Sequence, residues 1–228
     1  RAQIGQNHSA RSIHIGQPNL QNFTFDPSTF GIDAIWTGRF IDLRAELKNR
    51  GGKPAAIGIG AKAWPATYSG ILRPLTTDGK PFSAALTNAY ATNIPEEKRA
   101  FSDMLKELNG RLIGYTTGND PRILYSIDGS RVDLAFAIGT NGKLTATVGG
   151  RLKQPLTLTF PADVLKDIKV SSGKLDAAKG SWTLTSLKKP VTWTATPAQP
   201  LLGRKNAPRI ADISASPFTW TPESRKMD

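Results

Sequence analysis

RLIGYTTGNDPRILYSIDGSRVDLAFAIGTNGKLTATVGG, residues Arg111 to Gly150, breaks into four runs: RLIGYTT, RILYSID, RVDLAFAIG and KLTATVG. Each alternates apolar with polar residues at a period of two, the pattern of a half-buried strand. Between them lie Asn119-Asp120-Pro121, Asp128-Gly129 and Asn141-Gly142. These residues tolerate positive φ or preset a turn, as hairpin connections demand. Four consecutive antiparallel strands are predicted.

The same signal extends in both directions. LTLTF (Leu156 to Phe160), SWTLTSL (Ser181 to Leu187) and VTWTAT (Val191 to Thr196) place Thr on one face and Leu, Val or Trp on the other. One face of each strand meets a core and the other meets water. Upstream, strands are expected at Ser12 to Gly16, Asn22 to Asp26 and Ile32 to Trp36, with a turn at Asp26-Pro27-Ser28-Thr29. Strands recurring about every ten residues predict a mostly β protein, an antiparallel β-sandwich with long loops, rather than alternating βαβ units. One amphipathic helix is expected over residues 95–109. Pro95 opens its first turn, Glu96 and Glu97 complement the dipole, Gly110 terminates it, and Phe101, Met104, Leu105 and Leu108 form a stripe. A shorter helical turn is expected around Ala162 to Asp167, after Pro161.

Four sections follow from this pattern. Residues 1–60 form an N-terminal strand group. Residues 61–93, rich in Pro, Gly and Thr, form a long loop excursion, and residues 94–196 carry the helix and main sheet in one domain with 1–60. Residues 197–228 contain five prolines and read as an extended tail with Phe218 and Trp220 as anchors.

The chain has 228 residues, 39% of them hydrophobic, and a formal charge of +12 from 30 Lys+Arg against 18 Asp+Glu. It can bury a core without staples. No cysteine is present, which excludes disulfides, thiol nucleophiles, Cys-ligated zinc and covalently attached c-type haem in this polypeptide. His8 and His14 are the only imidazoles, and neither lies in an HExxH or carboxylate cluster, so a metal site is not expected and His14 reads as a surface or interface residue. No run of about 18 apolar residues is available to cross a bilayer. A start at Arg1 without an apolar leader reads as a mature or trimmed product. No carboxylate pair stands out by spacing, so no catalytic residue is nominated and no cofactor is expected. Trp36 and Trp64, set in irregular surroundings, are the candidate rings for stacking a sugar.

Net positive charge favours an acidic protein or an anionic membrane surface as partner. Nucleic acid is disfavoured, because Lys166, Lys169, Lys174, Lys179, Lys188 and Lys189 are spread over strands and turns without interleaved aromatics.

The stretch from Ser12 to Gly60 holds Phe25-Asp26 at a turn, then Trp36, Gly38, Phe40 and Asp42, then the Arg50-Gly51-Gly52 break. This pattern resembles the β-rich module of secreted bacterial proteins that accompanies glucose/sorbosone-dehydrogenase-like β-propellers and c-type cytochrome domains. GRLIGYTTGNDPRILYSIDGSRVDLAF, Gly110 to Phe136, is a second, fainter piece of that pattern. The resemblance implies a periplasmic or extracellular accessory subunit that docks a cytochrome or a membrane-associated electron-transfer complex. Because no CxxCH is present, any cytochrome would be a separate subunit or a missing portion of a longer protein. The alternative is a carbohydrate-binding accessory module of a secreted enzyme, using Trp64, Phe218 or Trp220 for contact.

Overall fold

The computed structural model describes residues 2–3, 12–44, 55–58, 60–83, 109–118 and 120–199. The N-terminal part comprises β1 (Ala2–Gln3), β2 (Ile13–Gly16), β3 (Gln21–Asp26), β4 (Gly31–Thr37), β5 (Ile41–Asp42), β6 (Ala55–Ile57), β7 (Lys62–Ala63) and β8 (Arg73–Pro74), with a 3-10 turn at Ala66–Tyr68. There follow β9 (Gly110–Tyr115), β10 (Arg122–Ile127), β11 (Ser130–Ile138), β12 (Leu144–Arg151), β13 (Leu156–Thr159), β14 (Leu165–Val170), β15 (Lys174–Asp176), β16 (Ser181–Leu184) and β17 (Val191–Pro197).

The four expected strands are β9 to β12, adjacent in a six-stranded sheet of order β14-β17-β12-β11-β10-β9. Asp128 and Gly129, both at positive φ (47° and 74°), make the two-residue turn between β10 and β11, a geometry that matches the twist of the flanking strands. Two four-stranded sheets, β15-β16-β13-β8 and β2-β3-β4-β7, complete the architecture with a small sheet β1-β6-β5. Alternation decides which face is buried. Ile123, Tyr125 and Ile127 of β10 and Val132, Leu134, Phe136 and Ile138 of β11 point inward. They share one core with Leu156, Leu158, Trp182 and Leu184 of the first four-stranded sheet and Phe23 and Phe25 of the second. Each such aliphatic or Phe side chain contributes about 1.5–3 kcal/mol by leaving water, so face-to-face burial makes the protein a β-sandwich.

One local expectation fails. Ala162 to Asp167 is not a helical turn: Leu165 onward is edge strand β14, pairing Lys166 with Thr196 and Val170 with Trp193 around a register shift. Asp167 adopts φ 52° in that irregularity, and sheet pairing overrides the weak local helical preference. The residues 95–109 predicted as a helix lie outside the described residues, apart from Asn109. Within 61–83, β7 pairs with β4 and β8 with β13, and Phe82 stacks on Phe30 with centroids 4.3 Å apart. The start of the expected tail is held as well. Pro197 pairs with Leu165, and the Gln199 N–H donates to the Tyr68 hydroxyl at 3.1 Å. From residue 200 onward the tail, including Phe218 and Trp220, lies outside the described residues.

Candidate functional site

β3 is buried along its whole length, unlike the alternating strands. Phe23 and Phe25 enter the main core, while Asn22 and Thr24 meet a second, small core of Trp36, Ile57 and Ala61 on the other face. Polar groups there are satisfied in pairs, as burial requires. Asn22 Nδ2 donates to the Leu20 and Gly38 carbonyls at 3.2 and 3.0 Å. His14 Nδ1 and Thr24 Oγ1 lie 2.8 Å apart, and the imidazole meets Trp36 edge-on at 6.5 Å. His14 is therefore half-buried, and burial lowers its pKa.

A carboxyl pair that spacing did not reveal lies at the end of the same hairpin. Asp26 builds the turn: its backbone carbonyl accepts from Phe30 N at 2.7 Å, and its Oδ1 accepts from Ser28 N and Oγ at 2.8 and 2.7 Å. Across the ladder, Thr24 faces Ala34 but Phe25 faces Ile32, which leaves Asp33 as the extra residue of a β-bulge. Bulges re-aim side chains. This one sets Asp33 beside Asp26. Burial, followed by the neighbouring Asp26, raises Asp33 to about 7, against the opposing pull of the Gly70 N–H and Arg73. Asp33 thus keeps its proton well above the usual carboxylate range, because a half-buried carboxyl beside another carboxyl ionises at a cost. Arg73 is anchored beside it by donating to the Phe82 carbonyl from Nε and Nη2 at 3.2 and 2.9 Å. The sequence signal available was two aspartates flanking one tight turn; the bulge that unites them carries no sequence mark.

The residues of the sequence pattern turn out to build a corner. Phe25 is core. Trp36 is fully buried, with its indole N–H donating to the carbonyls of Arg39 and Phe40 at 3.2 and 2.9 Å, and Phe40, 41% exposed, stacks over it at 6.0 Å. Gly38 adopts φ 105°, and a Cβ there would sit 3.3 Å from the Ala61 Cα. Asp42 accepts a close ion pair from Arg44 at 2.6 Å, which holds its carboxyl down to about 2. Arg50, Gly51 and Gly52 lie outside the described residues. Trp64 is 8% exposed and packs edge-on against Tyr68 at 5.2 Å, so neither Trp36 nor Trp64 offers a ring face to a sugar.

Lys166, Lys169, Lys174, Lys188 and Lys189 are all exposed and make no ion pair with a described residue, while Lys179 reaches Asp176 at 3.9 Å. Such exposed cations contribute to a positive surface potential. Among the described residues no group of three His, Cys, Asp or Glu could hold a metal, and no helix is long and apolar enough to cross a membrane. Comparison with protein families, with curated proteins and with solved structures finds no match to this chain.

Proposed function

We propose that this protein is a non-catalytic, exported accessory subunit that docks an acidic partner, a cytochrome or a membrane-associated electron-transfer complex. The observation that carries this reading is the set of exposed lysines that make no ion pair with a described residue, on a β-sandwich with a formal charge of +12. A field of one sign speeds encounter with a partner of the other sign and sets orientation before contact. The electron-transfer identity of the partner rests on the resemblance of the Phe25 to Gly52 pattern. The carbohydrate reading is left without two of its rings, since Trp36 and Trp64 are buried.

Native purification at low salt, followed by a salt step, tests the proposal. Haem absorbance is expected to travel with the protein at low salt and to separate from it at high salt. Elution of the protein without haem at both salt concentrations contradicts it.

A further inference from the structure

The six-stranded sheet presents an outer face whose rows follow from the pairing register. Ser126 stands opposite both Arg111 and Arg131, and Arg131 stands opposite Arg151. Residues paired across antiparallel strands share a face. Arg111, Arg131 and Arg151 therefore form one row across β9 to β12, and all three are exposed. Strand spacing puts the first two about 10 Å apart and the last two about 5 Å apart.

None of these three guanidiniums has an ion-pair or hydrogen-bond partner among the described residues. The acids nearby are already engaged: Arg122 takes Asp120 at 2.8 Å and Asp133 at 3.3 Å. Like charges directly opposite each other destabilise a sheet, and a guanidinium does not lose its proton to escape the repulsion. The row is therefore open to carboxylates supplied from outside the described residues.

Next to the arginine row run Gly114, Leu124 and Asp133, the last paired with Arg122, and then Ala135 opposite Arg122. A Cβ at Gly114 would meet nothing within 4 Å, so the backbone there is open. A small, partly apolar centre bordered by arginines is the composition of a protein interface, in which Arg anchors pair with carboxylates through two parallel hydrogen bonds. Single-stranded nucleic acid would call for stacking rings, and the register places no aromatic side chain on this face of β10, β11, β12 or β17. A second copy of the chain would bring the same charge.

We propose that the outer face around Arg111, Arg131 and Arg151 is the surface on which an acidic protein partner docks. This rests on the docking function above and assigns it a location. The test compares the intact chain with two triple variants of equal net charge: Arg111→Gln, Arg131→Gln, Arg151→Gln, and Lys62→Gln, Lys80→Gln, Lys143→Gln, three exposed lysines outside both the row and the lysine set above. The probe is an acidic cytochrome, titrated at low salt, with phosphatidylserine vesicles in parallel. The arginine variant is expected to lose at least about tenfold in affinity and the lysine variant less than about threefold, since removing rim charges individually has small effects. A triple Arg→Lys variant should fall between them, having kept charge but lost the two-pronged geometry. Melting temperatures should not fall in the arginine variant, which separates loss of contact from loss of fold. Equal losses in the two triple variants would overturn the surface and leave the docking function standing. An unmodified protein that binds no cytochrome overturns both, and row-dependent binding of vesicles alone overturns the protein as partner.

Discussion

Asp26 and Asp33 set two carboxyls side by side within the N-terminal hairpin, whereas the strand register sets Arg131 opposite Arg151 on the outer face of the main sheet. The acidic pair relieves its repulsion internally. Burial and the neighbouring Asp26 raise the Asp33 pKa to about 7, so Asp33 stays protonated through mildly acidic pH. The arginines have no such recourse, because their proton is never released and the neighbouring aspartates already serve Arg122. One like-charge cluster is thus answered within the fold; the other has no ion-pair partner among the described residues and is where the proposed docking surface lies. The comparison suggests where to search such a protein for function: among charges that the fold itself does not answer.

The largest effect is expected at the small core that shields the polar face of the hairpin. Trp36→Ala should cost about 3–5 kcal/mol, as for other buried aromatic truncations, measured by urea unfolding. In the same variant, the His14 titration followed by NMR should move back up toward 6.5, because the ring that buries it is gone.

Asp33→Asn comes next. The folded protein binds the Asp33 proton more tightly than the unfolded chain, whose carboxyl titrates near 3.8. The stability this group contributes is therefore complete below a pH of about 4 and is lost as pH rises to about 7. Asparagine carries no charge at any pH. The variant should be more stable than the parent at pH 8 by about 1–3 kcal/mol and should lose most of the decline between pH 4 and 7. An unchanged pH profile would remove the Asp33 proton from the account.

Tyr125→Phe sharpens the contrast from within the main core. Its hydroxyl is buried without a partner among the described residues, against Phe30 at 4.6 Å, and burial raises its pKa. Deleting an unsatisfied polar atom should leave stability unchanged or raise it by about 1 kcal/mol. Arg131→Gln is the smallest effect. Relief of the repulsion with Arg151 should stabilise by a few tenths of a kcal/mol, to about 1 at most, and the gain should shrink as added salt screens the pair.

Much of the fold was legible because its strands alternate cleanly. Ile123, Tyr125 and Ile127 followed by Asp128-Gly129 can form little but the inner edge of a hairpin. β3 was found as a strand, yet its burial on both faces was not, since Gln21, Asn22 and Thr24 read as a solvated face until a second core covers them. β14 was misread because Lys166, Asp167 and Lys169 interrupt alternation at a sheet edge, where pairing with β17 decides. The site was the least legible part. Asp33 meets Asp26 through a one-residue register shift, and Arg111, Arg131 and Arg151 align only once four strands are paired. Both depend on register, which distant residues set jointly.

The most direct check is NMR of the arginine Nε–Hε groups during addition of an acidic cytochrome. The account predicts that the signals of Arg111, Arg131 and Arg151 shift together and return when salt is raised. Shifts confined to other arginines, or none in that row while the cytochrome is bound, would contradict it.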